Sequence, residues 1–133
     1  MAFTASIEDG QFYFGTYQDS NTPWYNPTAA DGSATWIGRT RAVTNELEHV
    51  EGAAQVEYSF ADDTVSVTLD QFSNGRAAMA WSGLEMDDGE FYFSLPRPTY
   101  KFIIGRFHGE DHAGVTGAFA WDGLNGVFGA TRK

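Results

Sequence analysis

Cysteine is absent from all 133 residues. That excludes disulfides, thiolate metal sites, a nucleophilic thiol and lipid attachment through a terminal Cys in this chain. Basic residues are scarce: eight Lys and Arg face eighteen Asp and Glu, a formal net charge of −10. Binding nucleic acid requires clustered cations to neutralise phosphates, so no nucleic-acid partner is expected. Docking on an anionic membrane surface is disfavoured for the same reason. No apolar run reaches the roughly 18 residues that mark a spanning helix, so no membrane span is expected. The opening MAFTASIEDGQF has neither a basic n-region nor an apolar h-region, so no signal peptide is expected.

Catalytic signatures are missing too. No GxSxG elbow, GxGxxG or phosphate-binding loop occurs, and no D-x-D-x-D-G calcium loop. The carboxylate pairs Asp62–Asp63, Asp87–Asp88 and Glu110–Asp111 all fall in predicted turns, where they serve solubility and turn chemistry. The chain is expected to be non-enzymatic and to use no cofactor.

Rings and glycines are abundant: eleven Phe, six Tyr, four Trp and fifteen Gly. Large rings suit a pleated surface and glycine suits turns and bulges, so sheet is favoured over helix. From Ser33 onward short alternating runs are separated by turn signals. Eight strand candidates emerge: 33–43, 53–60, 64–72, 76–84, 90–95, 100–107, 113–121 and 126–133. Alternation sets Ala54, Val56, Tyr58 and Phe60 on one face, and Val65, Val67 and Leu69 on another. Short loops join nearly all of these strands as hairpins. No run of ten or more residues holds a helical stripe; RAVTNELEHVEGA comes nearest, with only Val43, Leu47 and Val50. The expectation is all-β: a single eight-stranded antiparallel up-and-down β-barrel, whose closure removes exposed edges. Residues 33–133 form this barrel domain.

Residues 1–32 read differently. They carry Glu8, Asp9, Asp19 and Asp31 but no Lys or Arg. QFYFGTY is one possible strand, and QDSNTPWYNPTAADG, with two prolines, reads as a loop. This segment is an N-terminal arm.

The last thirty residues carry a resemblance. GRFHG (105–109), HAGVTGAF (112–119) and LNGVFGATR (124–132) resemble the closing hairpin of transferrin-binding protein B (TbpB)-like β-barrel domains. SATWIGR (33–39) is similar to that family's first barrel strand, and GAAQVEYSFADDTVSVTL (52–69) to its next hairpin. The resemblance covers 33–133. It implies a barrel largely filled by its own side chains, a binding or scaffolding role, and a place among bacterial surface or secreted proteins. The family's handle domain and lipid-anchor Cys have no counterpart here.

Candidate residues follow from both readings. Phe119, Trp121, Phe128, Gly117, Gly126 and Gly129 lie in the closing hairpin, where rings beside glycines can interdigitate in a narrow barrel. Phe119 and Phe128 are placed in the core. Trp24 and Tyr25 in the polar arm, with Arg97 and Tyr100 in or beside the rigid PRP loop, are the candidate contacts for a protein partner. FHGEDH offers His108, Asp111 and His112 as metal-ligand types, with Asp87 or Asp88 as a remote third ligand. Its spacing matches no zinc pattern, and a tight turn fans side chains outward. It reads instead as a solvated turn with its acidic pair and His112 facing water. The leading function is a protein-binding module. A small apolar ligand carrier is the alternative, and would need an interior cavity above about 300 Å³. A structural domain of a larger assembly is a third reading. Partner identity and oligomeric state are not encoded in any motif.

Overall fold

The computed structural model describes residues 2–8 and 11–17 by their backbone pairing, and residues 32–95, 101–108 and 112–133 in full. Ten strands run in order: β1 (Ala2–Glu8), β2 (Gln11–Tyr17), β3 (Ser33–Thr44), β4 (His49–Ser59), β5 (Thr64–Asp70), β6 (Met79–Asp87), β7 (Glu90–Leu95), β8 (Lys101–His108), β9 (Gly114–Trp121) and β10 (Leu124–Arg132). β1 and β2 form a separate antiparallel pair. The other eight close into a barrel in which each strand pairs antiparallel with the next and β10 returns to β3. The expected architecture is therefore present, with one strand, β1, that the sequence did not announce.

Two hairpins show how local sequence sets the path. Asp88–Gly89 joins β6 to β7 with φ of 52° and 79°, and Asp122–Gly123 joins β9 to β10 with 49° and 80°. Two consecutive left-handed residues match the right-handed twist of the flanking strands, and Asp–Gly is a favoured pair for that turn.

Period-two alternation becomes period-two burial. Val65, Val67 and Leu69 of β5 are wholly inside, as are Val56, Tyr58 and Ala54 of β4. Phe107 sits at the centre of the filling. Trp36 packs on it edge-on at 4.6 Å between ring centroids, with Phe91, His112 and Tyr58 at 6.1, 6.2 and 6.4 Å.

Glycine allows those rings to fit. Phe91, Gly105, Gly117 and Phe128 stand opposite one another in a single row across β7, β8, β9 and β10. A Cβ on Gly105 would overlap the Phe91 ring, and one on Gly117 the Phe128 ring. Phe119 likewise lies opposite Gly126. Phe119 and Phe128 are core residues as expected, while Trp121 is only partly buried, packed against the core. Gly129 belongs to the other face of β10, where its nearest neighbour is the Thr116 methyl.

One expectation is overturned. His112 does not face water: it is 4% exposed, takes φ of 55°, and packs on Phe107. Its carbonyl accepts a hydrogen bond from the Trp36 indole Nε1–H at 2.8 Å. Covering the end of an aromatic core outweighs the polarity of the side chain.

Candidate functional site

Among the described residues the barrel wall is least paired between β6 and β7. β6 carries a bulge: Val65 pairs with Leu84 and Val67 with Trp81, so Ser82 and Gly83 together oppose Ser66. Gly83 takes φ of 67° there. A bulge of this kind bends its strand and raises the local twist. β6 and β7 pair at only two positions next to their turn, Met86 with Phe91 and Asp87 with Glu90. β7 stays paired with β8 along its whole length. Beyond the second rung the two strands part, and residues 82–85 and 92–95 have no strand opposite them across the gap among the described residues.

The gap is a cleft of about 350 Å³ lined by Trp81, Ser82, Gly83, Leu84, Glu85, Tyr92 and Phe93. Its rim is apolar. Tyr92 is 55% exposed and Phe93 39%. Phe93 leans toward Trp121 at 6.2 Å, and Trp121 meets Trp81 edge-on at 5.3 Å. The Lys101 Nζ lies 5.2 Å from the Trp121 ring centre and pairs with Asp122. Trp81 itself is buried, yet its indole N–H has no hydrogen-bond partner among the described residues. A buried donor left unsatisfied is costly, and native structures contain few.

At the turn end the cleft meets a second recess, about 490 Å³, lined by Glu85, Asp87, Asp88, Glu90, Phe91, Tyr92 and Arg106. Arg106 donates to Glu90 at 2.7 Å. Four carboxylates around one guanidinium leave the recess acidic, in keeping with the whole chain. Rings and acids thus meet at the β6–β7 hairpin.

The sequence pointed elsewhere. Trp24, Tyr25, Arg97, Tyr100 and Asp111 lie outside the described residues. His108 and His112 are described and do not converge. His112 packs on the interior ring of Phe107, whereas His108 lies over Gly114, opposite it on the neighbouring strand. Among the described residues no group of three or more His, Asp or Glu is placed to hold a metal. No described helix is long and apolar enough to cross a membrane. Tyr92, Phe93 and the Trp81 donor were missed as a site. Their one signal was a dense stretch, EMDDGEFYF, which holds four carboxylates and three rings in nine positions.

The sequence matches no protein-family model and no curated protein. Solved structures are similar throughout. HpuA from Kingella denitrificans, in complex with human haemoglobin, superposes with a TM-score of 0.68 at 16% identity, over 98% of this chain and 54% of HpuA. Isotype 1 TbpB from serogroup B Neisseria meningitidis gives 0.64 at 15%, over 99% of this chain and 35% of TbpB. A surface lipoprotein gives 0.66 at 13%, over 100% of this chain and 76% of that protein. The chain spans about a third of the length of TbpB and about half that of HpuA. At these identities the likeness is one of fold, and the fold is that of the TbpB-like eight-stranded barrel lobes.

Proposed function

We propose that this chain is a non-enzymatic binding module of the bacterial surface or of secreted proteins. Residues 33–133 act as the binding barrel and residues 1–32 as an arm. A protein partner is taken on the β6–β7 side, and Trp24, Tyr25, Arg97 and Tyr100 supply further contacts. One observation carries the reading: β6 and β7 pair at only two positions, and Tyr92 and Phe93 are exposed to solvent beside the opening this leaves. Exposed rings beside a free sheet edge are an aggregation liability unless a partner covers them. The similar structures support the same class, since one is called a haemoglobin receptor and others transferrin-binding proteins. The interior favours this reading over a ligand carrier, because Phe91, Phe107, Phe119 and Phe128 occupy the space a ligand would need.

The test compares the immobilised chain with a Tyr92→Ser/Phe93→Ser double variant in capture of surface and host proteins. A discrete partner retained by the parent and lost by an equally folded variant is the expected result. Equal capture by both, or none by either, overturns the proposal.

A further inference from the structure

We infer that the β6–β7 seam accepts an extended peptide strand with apolar and basic residues in alternation, supplied by another protein. The inference rests on the binding-module reading and adds the chemistry of the occupant. Three observations meet at the seam. First, residues 82–85 and 92–95 present backbone edges that face no strand across the gap among the described residues, while Leu84 and Glu85 are held from behind by β5 and 92–95 by β8. Free N–H and C=O groups at a fixed edge are a template for strand addition. Second, the side chains on the two sides of the seam differ. Trp81 and Leu84 are buried on the interior side and Phe93 follows Phe91 by two positions on that same side, while Glu85, Asp87 and Tyr92 alternate onto the outer side. Successive side chains of an added strand point to opposite faces, so its inward residues meet rings and its outward residues meet acids. Third, Trp81 lines this cleft, and its buried indole N–H has no acceptor among the described residues. A peptide carbonyl brought into the seam is the group that donor lacks.

Charge decides among occupants. Glu85, Asp87, Asp88 and Glu90 ring the adjoining recess against Arg106 alone, on a chain of net charge −10. A second copy of this chain would bring the same carboxylates edge to edge, and like charges placed together oppose association. A lysine- or arginine-bearing strand is attracted instead, with an affinity that falls as salt rises.

The probes are three blocked six-residue peptides: lysine alternating with valine and phenylalanine, its glutamate counterpart, and the lysine peptide N-methylated at every second amide. Hydrogen exchange and tryptophan fluorescence are read on the full chain. In the free protein, those amides of 82–85 and 92–95 that point into the seam rather than toward β5 or β8 exchange quickly, and the lysine peptide protects them. The glutamate and N-methylated peptides bind at least about tenfold more weakly. A Glu85→Lys/Asp87→Lys variant reverses the charge preference. Protection of these amides in the free protein overturns the inference, because the seam is then filled by this chain or by a second copy, which light scattering tells apart. Equal binding of the N-methylated peptide also overturns it, leaving a plain apolar patch. If no peptide binds while Tyr92→Ser/Phe93→Ser still loses a captured partner, strand addition is wrong and the binding module stands. If both fail, both readings fall.

Discussion

Two tryptophans are buried to similar degree and differ in one bond. The Trp36 Nε1–H donates to the His112 carbonyl, whereas the Trp81 N–H has no acceptor among the described residues. Trp36→Phe removes the buried bond to the His112 carbonyl and is expected to cost about 1–3 kcal/mol beyond the lost ring area. Trp81→Phe removes an unsatisfied donor along with that area, so its net cost is smaller by a similar amount. Urea denaturation of the two variants checks this, and a larger loss for Trp81→Phe would contradict it. The Phe91–Gly105 contact gives a second comparison. Gly105→Ala overpacks the row and should destabilise by about 1–3 kcal/mol. Trimming the ring as Phe91→Leu in the same chain should recover part of that loss, a coupling that a double-mutant cycle measures. Simple addition of the two penalties would show that the ring does not lean on Gly105. At this scale the sequence was partly legible. Rings beside glycines in 115–130 announced the interdigitation of β9 and β10, because both partners lie in one hairpin. His112 was not legible, since nothing in HGEDH tells that a polar residue caps the Trp36–Phe107 stack.

Alternation and turn residues located all eight barrel strands, and the misses came where packing interrupts the alternation. β4 begins at His49 rather than Ala53 because Gly52 occupies an inward slot, against the Asp70 carbonyl and the Phe72 ring, where the pattern needs an apolar side chain. The seam was hidden for a related reason. Ser82 and Gly83 break the period of β6, but only the pairing of Val65 and Val67 with Leu84 and Trp81 shows that a bulge absorbs the break. This makes the bulge a testable hinge of the site. Deleting Gly83 leaves Trp81, Leu84 and Met86 inward and gives β6 a regular ladder with β5. The deletion variant should fold with stability changed by no more than about 1 kcal/mol, the usual scale for a glycine in a strand. Its β6 and β7 should pair further along, so that amides 92–95 exchange more slowly than in the parent. Unchanged exchange in a well-folded variant would mean that something other than the bulge holds the strands apart.

The barrel as a whole depends on its last strand. β10 pairs with β9 over eight positions and with β3 over nine, so it forms two seams at once. Phe128 and Leu124 from the same strand fill the interior. Removing residues 124–133 would uncover two long edges and withdraw three core side chains, Leu124, Phe128 and Ala130, whereas the existing gap at β6–β7 leaves β7 fully paired with β8 and β6 paired with β5 on either side of its bulge. Long free edges pair with other chains. The truncated chain is therefore expected to lose its cooperative thermal transition and to aggregate, read by circular dichroism and light scattering. A monomer that melts cooperatively would show that closure is dispensable. The contrast locates what the whole sequence could and could not say. Closure was legible, because eight short strands in succession with an apolar face have few other ways to cover their edges. The opening was not, because it is a balance struck between a bulge in one strand and the full pairing of its neighbours. The acidic charge adds the last element: it is spread over the molecule but meets the exposed rings at this opening, so partner binding there should weaken as ionic strength rises while the fold does not. Parallel salt series for peptide affinity and for thermal unfolding test that separation. A melting temperature that tracks the affinity would assign the charge to stability instead of recognition.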